Sequence, residues 1–166
     1  MNVILNANEI EFDNIQFLDK KNNIIMDGNF TKLIYSDSHL TVSGLYVYFP
    51  IHIKSIFKNT AFFDIHENSH ILNEITDIEN IILQHYTGIH KSHPPLTTVS
   101  VKKQLALGMI KLNSFTPPQF QDMNHFNLFS CQYDCVIKIS GVWENKNTIG
   151  MTYKFLQCKP PLFWRV

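Results

Sequence analysis

Two stretches late in the chain alternate apolar and polar residues with period two. Val136-Ile-Lys-Ile-Ser-Gly-Val-Trp143 is the first, Glu144 to Asn147 makes a turn, and Ile149-Gly-Met-Thr-Tyr-Lys-Phe-Leu156 is the second. Side chains of a strand project alternately to opposite faces, so each run has one face to bury and one to solvate. If Val136, Ile139 or Val142 lie on the core face, the alternation puts Ile137 or Lys138 and Ser140 on the other. Trp143, next to the turn, is then only partly buried. A hairpin of this kind needs more sheet, or a helix, against its apolar face.

The remainder of the chain supplies both. Ile4 to Phe12 alternates and Ile15 to Leu18 continues it, which predicts an edge strand; Asp19 to Asn23 predicts a hairpin tip, and Ile24 to Met26 restarts a strand. Phe30 to Tyr35 and Leu40 to Phe49 are β-branched and aromatic, with Gly44 suited to a bulge and Pro50 expected to limit pairing beyond it. Ile51 to Phe57 and Ala61 to Ile65 complete an antiparallel meander. The period then changes: Ile71, Ile75, Ile78, Ile82 and Tyr86 recur at helical spacing, with Thr76 or Asp77 as N-cap and Gly88 as stop. Ile89 to Leu96 reads as a loop, Thr97 to Leu107 as a second short helix ended by Gly108, and Met109 to Phe115 as a strand. A long loop through Pro117 and Pro118 to Asn127 precedes the hairpin.

One core fits this length. At 166 residues, with 45% hydrophobic and 13% aromatic side chains, the chain can bury enough apolar surface to fold as a single domain, 1–166, with an extended tail over 159–166. The 14 basic and 14 acidic residues cancel, so no long-range field draws the chain onto a polyanion. Arg165 is the only arginine, which leaves almost no bidentate reading of guanine edges and argues against sequence-specific duplex recognition. No apolar run approaches the ~20 residues of a membrane span. Cys131, Cys135 and Cys158 are odd in number, and the opening MNVILNANEIEFD lacks the pattern of a signal peptide, so the expectation is an intracellular, reducing compartment.

Motifs for chemistry are sparse. His66 with His70, and His85 with His90 and His93, do not have the spacing of a metal site, and Cys131-x3-Cys135 lacks a second ligand pair. Buried small hydrophobes are the better account of the cysteines. The glycines stand singly, without a phosphate-cradling loop, and no paired carboxylates stand out. No catalytic residue, metal or cofactor is expected, and the chain is read as a non-enzyme.

What remains is aromatics interleaved with lysines on strands. Lys32 lies beside Phe30 and Tyr35, Tyr46 and Tyr48 near Lys54, and Lys138, Trp143, Tyr153 and Lys154 share the final hairpin. Aromatic faces stack bases and cations follow a phosphate backbone, a combination suited to single strands. Aromatics on strands also fill cores, with lysines solvating the opposite face.

The stretch Asn29 to Tyr35 with Leu40 to Pro50, and Val136 to Glu144 with Ile149 to Phe155, resembles a family of small uncharacterised proteins of nucleocytoplasmic large DNA viruses. The resemblance spans about Asn29 to Phe155 and contains no catalytic motif. It implies a viral protein, in the host cytoplasm or nucleus, and within such a set a phage-type OB-fold single-stranded DNA-binding protein of a replication system. The expectation is therefore an α+β, mainly antiparallel chain: an OB-like barrel or strongly curved sheet with one main helix and a C-terminal β-hairpin. Its partner is single-stranded DNA or RNA, bound through Lys32, Tyr46, Tyr48, Lys138, Trp143, Tyr153 and Lys154. The alternative is a structural or interaction protein, a scaffold, virion component or host-factor binder, that oligomerises or docks a partner through Leu162, Phe163 and Trp164. Neither reading places the chain in a membrane.

Overall fold

The computed structural model describes residues 4–23, 27–90, 96–113 and 131–159. In chain order these form β1 (Leu5–Asn6), β2 (Ile15–Phe17), β3 (Lys21–Asn23), β4 (Gly28–Ser36), β5 (Thr41–Ser43), β6 (Leu45–Phe57) and β7 (Thr60–Phe63). Helix α1 (Ser69–His90), β8 (Leu96–Thr98), helix α2 (Ser100–Leu105), β9 (Met109–Lys111), β10 (Cys131–Glu144) and β11 (Thr148–Lys159) follow. The fold is α+β, a mostly antiparallel sheet with one main helix.

The period-two hairpin is its hub. β10 runs antiparallel to β11 along one edge, while its other edge is shared: Cys131 to Ile139 pair with Ile53 to Leu45 of β6, and Gly141 to Glu144 pair with Lys32 to Asn29 of β4. Two register shifts interrupt the ladder, between Val136 and Ile137 and between Ile139 and Gly141. The second explains a pattern that strict alternation cannot produce. Ile139 and Val142 are three apart yet both face the core, because the bulge absorbs the extra residue. Ile137 belongs with them rather than opposite, and Val136, predicted inward, is register partner of the outward Tyr48 though still buried.

Several boundaries differ from those predicted. Ile4 to Phe12 is only a two-residue strand followed by 3-10 turns at Ala7–Glu9 and Phe12–Asn14, and the predicted tip at Asp19 to Asn23 contains β3. β6 runs through Pro50 for 13 residues. This is tolerated because among the described residues the far edge of β6 has no ladder neighbour at Pro50: β1 pairs at Val47 and Tyr48, and β7 only from Ile53.

Helix α1 buries Leu72, Ile75, Ile78, Ile82, Leu83 and Tyr86, the i, i+3, i+4 stripe of an amphipathic helix. It starts seven residues before the predicted cap. Asn68 holds the entry instead: its side-chain oxygen accepts from the His52 N–H at 2.8 Å while its amide donates to the His52 and Asp64 carbonyls. Thr76 is an interior residue whose hydroxyl donates to the Leu72 carbonyl, and Gly88 is passed before the helix ends at His90. No described helix is long and apolar enough to cross a membrane. Glu79, fully buried on α1, fastens the second helix by accepting from the Val101 and Lys102 N–H groups, both at 3.1 Å.

The sheet is open rather than closed into the expected OB-like barrel. Its path runs β2-β4-β10-β6-β7-β9, and the β9 end reaches β11 by a single parallel bridge, Leu112 to Phe155. The cysteine reading also changes. Cys135 is fully buried and disulfide-bonded, so a free small hydrophobe does not describe it. Leu162, Phe163 and Trp164, the predicted docking residues, lie outside the described residues, as do Pro117, Pro118 and His93.

Candidate functional site

Residues that are register partners across a sheet share a face. Tyr46, Lys138 and Lys154 form one such row across β6, β10 and β11. Lys32, Gly141 and Thr152 form a second row across β4, β10 and β11, and Phe30, Trp143 and Gly150 a third. Tyr48 lies two residues from Tyr46, beside Val136. The intervening residues Leu33, Leu45, Val47, Ile137 and Ile139 are at most 1% exposed, so these rows occupy the face turned away from the core.

Two glycines make room for the rings. A Cβ on Gly150 would stand 2.5 Å from Trp143, and one on Gly141 would stand 2.8 Å from Phe30. The indole and phenyl rings therefore lie down on bare backbone, which leaves Trp143 half-buried. Lys138 extends over Tyr46, its ammonium 5.0 Å from the ring centre, a cation–π contact worth about 0.5–1 kcal/mol at such a site. Lys32 and Lys154 are exposed. At the far end Tyr48 donates to Asp134 Oδ1 at 2.8 Å, and that bond holds the phenolic proton and raises the Tyr48 pKa. Asp134 thus bounds the basic strip with the opposite charge.

Six of the seven residues singled out in the sequence come together on this face. Tyr153 does not: it pairs with Ile139 on the inner side, and its hydroxyl donates to Gln104 Oε1 at 2.5 Å and the Ser100 carbonyl at 3.3 Å. Burial, with the charge of Glu79 adding to it, pushes its pKa up to about 12. Tyr35 is likewise a core residue, and Lys54 is paired with Asp64 at 2.8 Å, away from Tyr46 and Tyr48.

His66 lies in the turn before α1, and His70, His85 and His90 lie on α1. His85 and His90 pack edge-on against Phe17, with ring centres 5.8 and 6.2 Å away. Among the described residues no three His, Cys, Asp or Glu side chains gather as metal ligands would.

A cleft of about 510 Å³ adjoins the face at Trp143 and Lys154, and Gln104, Lys111 and Asn113 line it from α2 and the end of β9. Sequence reasoning missed these three because they precede the hairpin, which begins at Cys131, on short elements whose spacing carries no motif. No protein-family model, curated protein or solved structure matches this chain.

Proposed function

We propose that this chain binds single-stranded nucleic acid without strong sequence preference through the outer face of β4, β6, β10 and β11. The observation that carries the reading is the row arrangement: Lys32, Lys138 and Lys154 share one face with Phe30, Tyr46 and Trp143 on β10 and the three strands that pair with it. Successive strands are about 4.8 Å apart, so the rings and cations are spaced closely enough to meet neighbouring bases and phosphates of one extended strand.

Fluorescence anisotropy with labelled oligo-dT tests this directly. Binding at low salt, weakened strongly by Lys32→Glu with Lys138→Glu while thermal stability is kept, is the expected result. An absence of binding at low salt defeats the proposal.

The interaction-protein reading has an observation of its own. Phe62, Ile65 and Leu107 are 37%, 41% and 67% exposed and flank the point where the Phe63 N–H meets the Gly108 carbonyl. A monomer at all concentrations in sedimentation, with no retained partner, speaks against it.

A further inference from the structure

The geometry points to the cleft beside β11 as the seat of one nucleotide unit, its base against Trp143 and its phosphate between Lys111 and Lys154. This deepens, and rests on, the single-strand reading. The cleft exists because β11 changes neighbours. β8 pairs with it only from Thr148 to Gly150, Leu112 rejoins it at Phe155, and between them no described strand pairs with that edge.

Its lining decides the ligand class. Among the described residues that line it are two lysines and no carboxylate, which selects an anion. Leu112, Met151 and Phe155, each 2% exposed, give it an apolar floor, and Trp143 adds a flat ring, which together suit a planar heterocycle. Directional groups are present as well. Gln104 receives the Tyr153 hydroxyl on its oxygen, so its amide nitrogen is left to donate, and Asn113 offers both a donor and an acceptor. A ring with carbonyl edges carrying a phosphate satisfies all three features, whereas a lipid tail leaves the amides unmatched and a simple anion leaves the apolar floor wet. About 510 Å³ lies within the range of small-ligand sites. Because Trp143 and Lys154 also belong to the rows of the outer face, a strand tracking that face arrives at the cleft without a break.

The test uses the full chain carrying Trp164→Phe, which leaves Trp143 as the single tryptophan. Thymidine monophosphate is titrated against its fluorescence, with thymidine and inorganic phosphate as separate arms. Saturable quenching by the nucleotide is expected, weaker with either part alone, and reduced about tenfold by Lys111→Gln. In the same preparations Lys111→Gln should also weaken oligo-dT binding, with circular dichroism confirming an unchanged fold. If oligo-dT binds but the mononucleotide leaves Trp143 unperturbed and Lys111→Gln is silent, the cleft assignment falls and the face reading stands. If neither ligand binds, both fall. Quenching by phosphate alone as strong as by the nucleotide overturns the assignment of a base to the cleft.

Discussion

Glu79 shows how much one side chain can hold. It is fully buried, and burial raises its pKa against the opposing pull of the Val101 and Lys102 N–H groups and the Ser100 hydroxyl. Glu79→Ala leaves the Val101 and Lys102 N–H groups without that acceptor and should cost about 1–3 kcal/mol in denaturant unfolding. The pH dependence follows from the direction of the shift. A carboxyl whose folded pKa is raised stabilises the fold fully below its unfolded pKa, and that contribution is lost as pH rises through the folded value. Glu79→Gln keeps an acceptor and does not titrate, so the melting temperature of this variant relative to the parent should rise across that same interval. A difference flat with pH would refute the assignment. Trp143 poses the other residue-scale question, because it is half-buried and seated on Gly150. Trp143→Ala should weaken oligo-dT binding by about 1–3 kcal/mol per stacked base. A stability loss of about 3–5 kcal/mol in thermal melting would instead mark the ring as core.

The hairpin is the element on which the face depends, and the bulge at Ser140 in β10 is what gives it that face. Without the shift between Ile139 and Gly141, the Lys138 row and the Trp143 row would point to opposite sides, three residues and then two being incompatible with period two. The existence of the hairpin is legible in the sequence because alternation is a local signal. The bulge is not, because Ser140 and Gly141 look like any polar turn-tolerant pair until β4 takes over from β6 as neighbour. The cap of α1 escaped for a similar reason: Thr76 and Asp77 have capping chemistry, but Asn68 is chosen by its contact with β6, a partner 16 residues away. Gly141 is the sensitive point. A Cβ there would stand 2.2 Å from the Thr31 carbonyl oxygen, so Gly141→Ala should force the β4 junction apart and cost about 1–3 kcal/mol in chemical denaturation. Cys135, in the first half of β10, is disulfide-bonded. Cys135→Ala, or a reducing agent, should lower stability by about 2–4 kcal/mol, and an unchanged melt under reducing conditions would argue against that cross-link in solution.

At the scale of the whole molecule, a neutral chain has to bind a polyanion by placement alone. With 14 charges of each sign there is no net field to gather ligand, so attraction must come from where the lysines sit. The aromatics and lysines of the face are visible in the sequence as residue types, but their assembly is set by non-local pairings of β4 and β6 with β10, and Tyr153 could be separated from its neighbours only by the register. That assembly makes a quantitative demand on the salt dependence. If Lys32, Lys138 and Lys154 each displace one counterion from a single strand, the slope of log affinity against log salt should be about −2. Each Lys→Gln substitution should then flatten the slope by about 0.7, whatever the oligonucleotide sequence. Substituting Lys58, which lies over Phe57 rather than in the rows, should leave it unchanged. A slope equally sensitive to Lys58 would mean that binding follows total charge, and the rows would then have no special part in it.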